Sequence, residues 1–200
     1  MADRATLVGS TAILVPMERS HAAGLLAAAS EDRATYGFTT VPDSLASVEQ
    51  YIETALGDET DGTALPFVTT LAETGRVVGT TRFLDLDYWS SGESGVPCVA
   101  EIGSTWLAAS MQRTRVNTEC KLLMLGHAFD VWGVRRVSLK TDARNERSRR
   151  AIERIGASFE GVRRVHMPAS DGSDRDSAYY SIVASEWPHV RDGLRGRLRE

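Results

Sequence analysis

The chain has 200 residues, of which 42% are hydrophobic and 25% charged; this suits a globular protein with its own core and excludes a fibrous or low-complexity chain. Its net charge of −4 is unevenly spread, because between Gln112 and Arg150 ten Lys/Arg outnumber four acids, leaving −10 for the rest. A confined basic zone on an acidic protein argues against general nucleic-acid binding; it fits either a compact polyanion or a solvated helix face.

In chain order, Thr11 to Val15 reads as a first strand and Glu18 to about Ala29 as a helix with Leu25 and Leu26 on its apolar stripe. Pro42-Asp43-Ser44 offers a cap for a second helix to about Leu56, carrying Leu45, Val48, Ile52 and Leu56 at helical spacing and closed by Gly57 to Gly62. Leu65 to Ala72 and Arg76 to Leu86 flank Glu73-Thr74-Gly75 and read as an antiparallel hairpin. A polar loop from Asp87 to Gly95 follows, with Tyr88 and Trp89 on it. Beyond it strand and helix alternate: strand Val99 to Leu107, helix Thr118 to Trp132, strand Val134 to Thr141, helix Asn145 to Ile155, strand Ala157 to Val165. Gly133 and Gly156 stand where helix C-caps want glycine. Arg175 to Val183 pairs back through Asp171-Gly172, and Glu186 to Arg199 reads as a polar helix. An antiparallel start followed by strand-helix-strand units implies a mixed α/β sheet with right-handed crossovers.

Cys98 and Cys120 make no disulfide framework, which favours a reducing, cytoplasmic setting. The apolar run Ala12 to Val15 stops at Pro16, too short for a membrane span or a signal-peptide core. His21, His127, His166 and His189 are scattered, no Cys-x-x-Cys occurs, and neither a phosphate loop nor a dinucleotide fingerprint is present. No metal site, membrane partner or nucleic-acid partner is therefore expected.

Two stretches carry chemistry. Met111 to Glu119 joins a strand to a helix, a junction that leaves helix amides unpaired and aims the positive end of the helix dipole outward, as an anion site requires. Thr141 to Phe159 contains Asn145-x-x-Ser148, a helix ending at Gly156, a small residue and the aromatic Phe159. Taken alone, Asn145 reads first as a helix N-cap. In that order the two stretches resemble the GNAT superfamily of N-acetyltransferases, most closely its RimJ/RimL-like branch. Gln112, Arg113 and Thr114 fit the opening of the family's Gln/Arg-x-x-Gly-x-Gly/Ala loop, whereas Arg115 and Asn117 stand where its glycines belong. The resemblance runs from Glu101 to Phe159 and more loosely to both ends.

It implies a GNAT-like α/β (α+β) fold: a mixed, mostly antiparallel twisted sheet flanked by helices, with a central splayed parallel strand pair. One domain over residues 1–200 would comprise an acceptor-side half (1–98), an acetyl-CoA-binding half (99–165) and a closing hairpin strand and helix (166–200). By the same resemblance Leu107 and Ala108 serve the pantetheine and acetyl carbonyl. Gln112, Arg113, Thr114, Arg115, Val116, Asn117 and Thr118 serve the phosphates, and Asn145 and Arg149 the pantetheine region. Many family members place a tyrosine near this helix for the leaving thiolate; none lies here between Tyr88 and Tyr179, and the resemblance to the Rim-like branch, which has a serine there, makes Ser148 the available hydroxyl. Tyr36 and Phe38, with Tyr88 and Trp89, are candidate substrate walls or rim packing. Related proteins are often homodimers.

Strict alternation along the strand puts Glu101, Gly103, Thr105 and Leu107 on one face and Ile102, Ser104 and Trp106 on the other. A face of Glu, Gly and Thr suits a cleft wall, with Glu101 either a base acting through water or a solvated carboxylate. If Arg115 needs a left-handed backbone, its side chain costs about 1–2 kcal/mol; alternatively its guanidinium holds the pyrophosphate. Three functions follow: an acetyl-CoA-dependent N-acetyltransferase acting on a small amine or a protein N-terminus, a non-catalytic acyl-CoA-binding domain, or an interaction module with a basic patch.

Overall fold

A computed structural model describes residues 4–89 and 95–199. The chain order is β1 (Leu7–Val8), β2 (Ala12–Pro16), α1 (Ala22–Ser30), α2 (Leu45–Thr60), β3 (Leu65–Leu71), β4 (Val77–Asp87) and β5 (Val99–Leu107). Then come α3 (Arg115–Gly126), β6 (Arg136–Asp142), α4 (Glu146–Arg154), β7 (Ser158–Pro168), β8 (Asp174–Val183) and α5 (Trp187–Arg199). The strands form one sheet in the order β1-β2-β3-β4-β5-β6-β8-β7, antiparallel throughout except where β5 meets β6.

Two apolar layers cover it. On one face α3, α4 and α5 bring Val116, Met124, Leu125, Ile152, Ile155, Val190 and Leu194 against Ala100, Ile102, Val137, Leu139 and Tyr180. On the other, α1 and α2 bring Leu25, Ala28, Val48, Ile52 and Ala55 against Val68, Trp106 and Ala108. Burying such side chains stabilises the fold by about 1.5–3 kcal/mol each. This second layer stops short of β6 and β8, where the register Ser138↔Ser181 and Lys140↔Tyr179 presents a polar surface instead.

Several boundaries differ from those expected, each for a local reason. The helix expected from Glu18 opens as a 3-10 turn, Arg19–His21, with the Glu18 amide donating to His21 Nδ1 at 3.0 Å, and becomes α-helical from Ala22. α2 runs through Gly57 to Thr60. α3 starts at Arg115 rather than Thr118 because Thr114 caps it, its Oγ1 accepting from the Val116 amide at 3.3 Å. Past Gly126 the chain widens into a π turn, His127–Val131. α5 is amphipathic rather than merely polar: Trp187, Val190 and Leu194 are buried, and Trp187 Nε1 donates to Asp130 Oδ1 at 2.7 Å.

The feature that makes a site lies in the middle of the sheet. β5 pairs with β6 only over Val99–Glu101 against Arg136–Ser138, and past that point no pairing joins them. On its other edge β5 pairs Trp106 with Thr80 but Gly103 with Arg82, so one residue of β5 is extra. Ser104 sits there at φ 47, a bulge that increases local twist.

Candidate active site

The bulge reverses the face assignment that strict alternation predicts. Glu101 and Gly103 look toward the α1–α2 side, whereas Thr105 and Leu107, beyond Ser104, pack toward α3. Glu101 is nonetheless the group at the cleft. It is buried, and its Oε2 lies 2.9 Å from Lys140 Nζ on β6, across the last paired rung. Burial raises its pKa above the ordinary carboxylate range, and Lys140 pulls it part of the way back. Lys140 would be lowered by burial, but Glu101 outweighs that and keeps it charged.

Gly103 gives Glu101 its room. A Cβ at 103 would stand 2.9 Å from Glu101 Oε1 and 2.9 Å from Leu84 Cδ1, so the carboxylate lies over the glycine and points along β5 toward the bulge. On the same uncovered face the Tyr179 hydroxyl meets His166 Nε2 at 3.1 Å, and His166 Nδ1 meets Ser177 Oγ at 3.0 Å. Burial, with Arg163 and Lys140 nearby, lowers the His166 pKa and keeps the ring neutral.

At the other end of β5, two groups expected to meet pantetheine are already engaged within the protein. The Leu107 carbonyl accepts from Tyr36 Oη at 2.9 Å and Gln112 Nε2 at 3.1 Å, and the Ala108 amide donates to Val78 O at 2.8 Å. What remains open to an extended ligand is the edge of β5 facing β6 beyond Glu101. Tyr36 is accordingly no free wall: it is buried, its hydroxyl holds Leu107, and its ring meets Trp106 edge-on at 6.2 Å.

The segment expected to hold the phosphates is a helix start rather than a loop. Arg113, not Arg115, carries the left-handed backbone, at φ 62, and Arg115 is the first residue of α3. The strain expected at Arg115 is therefore absent, and both guanidinium groups are exposed beside the amides of the first turn. No acid sits in that turn, so its positive pole is uncompensated. Val116 and Thr118 are buried, so their side chains pack into the protein and only their backbone faces this end. Thr114 is the cap, and Asn117 is half-buried on the same turn.

Asn145 does what an N-cap does, its Oδ1 accepting from the Ser148 amide at 3.1 Å. Ser148 is half-exposed on the first turn of α4. Arg149 turns toward β8, where its Nε donates to Tyr180 Oη at 3.0 Å and its guanidinium lies 5.6 Å over Phe159. Arg147, which the sequence reading passed over, donates from Nη1 to Gln112 Oε1 at 3.1 Å and also bonds the Thr35 carbonyl. The starts of α3 and α4 thus face each other across the gap between β5 and β6.

The aromatic candidates frame the opposite side. Phe38 is part-exposed beneath Arg144, whose guanidinium lies 5.5 Å over its ring. Arg144 also bonds Asp142 at 2.8 Å and Asp171 at 3.0 Å, and Ser170 Oγ donates to Gly37 O at 3.3 Å. The β7–β8 turn therefore meets the α1–α2 connection, and between them lies an open depression of about 390 Å³ lined by Arg33, Tyr36, Thr39, Ser170 and Asp171. Trp89 is tied by Nε1 to Asp87 Oδ2 at 3.0 Å, with Arg135 5.3 Å over its ring; Tyr88 is part-exposed beside it. The rest of that loop, residues 90–94, lies outside the described residues.

Two further lysines were not singled out from sequence. Lys140 is the ion-pair partner of Glu101, and only the parallel register brings them together. Lys121 on α3 is buried, donating to Thr105 Oγ1 at 2.8 Å and Thr81 Oγ1 at 3.3 Å, and burial pushes its pKa down to about 8.

Comparison with known proteins agrees with this geometry. Residues 12–158 match the family model described as acetyltransferase (GNAT) domain, and the chain belongs to that family. A crystal structure of a GCN5-related N-acetyltransferase from Brucella melitensis superposes with a TM-score of 0.84 at 31% identity, covering 98% of this chain and 86% of that one. A protein of Bacillus subtilis (strain 168), provisionally named ribosomal N-acetyltransferase YdaF, is 33% identical over 88 residues; that is 44% of this chain and about half, 47%, of the relative. Mycobacterium smegmatis RimJ, in complex with CoA-disulfide, shares the fold with a TM-score of 0.78 at 22% identity, covering 97% of this chain and 93% of that one.

Proposed function

We propose that this protein transfers the acetyl group of acetyl-CoA to a primary amine by direct attack within a ternary complex, and that the amine is the α-amino group of a protein N-terminus. The observation that carries the reading is the gap between β5 and β6, which has a buried carboxylate at its closed end and an uncompensated helix start at its open end. Acetyl-CoA supplies an activated thioester. Arg113, Arg115 and the first amides of α3 would hold the diphosphate, and the free edge of β5 would align the pantetheine as an added strand does.

Glu101 then takes the proton from the acceptor ammonium, directly or through water, on the face where Lys140, Tyr179 and His166 form a polar floor. An α-amine has a pKa of about 8 against about 10.4 for lysine, so a base of only modestly raised pKa is adequate to it. Nitrogen bonds to the carbonyl carbon as the carbon–sulfur bond breaks, its second proton passing through water to the departing thiolate, to which the Ser148 hydroxyl donates a hydrogen bond. Arg144, Phe38 and the β7–β8 turn border the entry through which an extended N-terminus would thread. The name of the Bacillus subtilis relative supports a ribosomal acceptor, and the two buried, unpaired cysteines suit a reducing, cytoplasmic setting. Among the described residues no helix is long and apolar enough to cross a membrane.

Release of free thiol from acetyl-CoA, followed with a chromogenic disulfide against a panel of N-terminal peptides, lysine-only peptides and small amines, tests the reading. Faster release with α-amine peptides is expected. Release confined to lysine side chains would overturn the acceptor assignment, and no release with any amine would overturn the transferase reading.

A further inference from the structure

An isolated charged lysine is costly to bury, because burial removes its hydration and nothing ionic replaces it. Lys121 is such a case: it is 6% exposed, and among the described residues no carboxylate lies within ion-pair distance of it. Its partners are two hydroxyls. Thr81 stands on β4 opposite the bulge, between the rungs Thr80↔Trp106 and Arg82↔Gly103, and Thr105 is the residue after Ser104. The two hydroxyl oxygens lie 2.8 Å apart, and Thr105 Oγ1 donates on to the Gly103 carbonyl at 3.3 Å. The ammonium therefore clamps both strands across the strained residue, from the side opposite Glu101.

A purely structural clamp would not need a charge, since Thr–Thr contacts and an apolar side chain fill such a position at lower cost. The acetyl carbon must come within reach of the amine that Glu101 deprotonates, and Glu101 points along β5 toward Ser104. Negative charge then grows on the carbonyl oxygen and on sulfur at this point of the strand, with Lys121 beneath it. Fixed charge already in place there favours the transition state over the ground state.

We propose that Lys121 is a positioning residue for acetyl transfer, its buried ammonium holding the β5 bulge in shape through Thr105 and Thr81 and biasing the field under the developing anion. The proposal rests on the transferase reading above. It separates turnover from stability: Lys121→Met, close in volume, is expected to fold with an unchanged or higher thermal midpoint, to bind acetyl-CoA within about twofold of the parent, and to lose roughly tenfold in kcat. Lys121→Arg, which keeps the charge, should recover part of that loss. A Met variant with parental kcat would overturn the proposal, as would one in which midpoint, coenzyme affinity and kcat all fall together, the signature of a merely structural lysine. The parent protein assayed beside it keeps the two readings apart. Thiol release by the parent with an unimpaired Met variant removes Lys121 alone, whereas a parent that neither binds coenzyme nor releases thiol removes both.

Discussion

Glu101→Gln is expected to lower kcat/KM by about 10²–10⁴ while leaving coenzyme affinity within about twofold, because it removes the proposed proton acceptor and nothing at the proposed phosphate seat. The pH dependence should identify the group. Only the ionised carboxylate accepts a proton, and burial raises its pKa above the usual carboxylate range, so the acid limb of kcat/KM in the parent should lie above about 4.3. Activity falls as pH drops through that raised value, and the Gln variant should have lost this limb. The variant should still fold, since Lys140 is not deeply buried and keeps Asp85 Oδ2 at 3.4 Å. A Gln variant with undiminished rate at neutral pH would return Glu101 to a structural ion pair.

Glu119→Ala should be the most destabilising single change at this end of the molecule, by about 3–5 kcal/mol. Its buried carboxylate accepts from the Ser10 amide at 2.9 Å, Ser10 Oγ at 2.8 Å, and the Thr11 and Ala12 amides at 2.7 Å each. Even Gly9 is shaped to it, for a Cβ there would stand 2.5 Å from Glu119 Cδ. Removing the carboxylate strands three amides and frees β1 and β2 from α3, the helix whose first turn is proposed to seat the phosphates. Burial alone would raise this carboxyl's pKa, but the bonds from Ala12, Ser10 and Thr11 outweigh it and hold the pKa below its usual value. The stabilisation is thus present above the unfolded pKa of about 4.3 and is lost as pH falls through the lower, folded one. Thermal melts of parent and variant should differ widely at pH 7 and converge in acid. A difference that persists undiminished at the lowest pH would mean that the charge is not what matters.

Much of the architecture was readable because it is written in periodicity and caps. Helical spacing of Val48 and Ile52, the Gly75 turn and the Asn145 cap each determine local backbone without help from distant residues. The site was less readable. Nothing in Gly-Ser-Thr announces a bulge, since a serine at φ 47 carries no sequence signal, and that single extra residue moved Thr105 and Leu107 to the face opposite Glu101. In the phosphate loop, missing glycines suggested strain at Arg115, whereas the chain places its left-handed turn two residues earlier and lets Thr114 start the helix there. Lys140 and Arg147 complete the site through contacts 39 and 35 residues away in sequence, to Glu101 and Gln112, which only tertiary register determines. Tyr36 looked like a loop aromatic because its shorter hydrogen bond, to the Leu107 carbonyl, reaches 71 residues along the chain.

Calorimetric titration of acetyl-CoA into the parent and into Arg115→Ala tests most directly whether a thioester coenzyme rests on the start of α3. Saturable one-to-one binding by the parent is expected, weakened roughly five- to tenfold in the variant, as loss of one charge-assisted phosphate contact should do. No heat of binding at millimolar coenzyme, or equal affinity in both proteins, would contradict it.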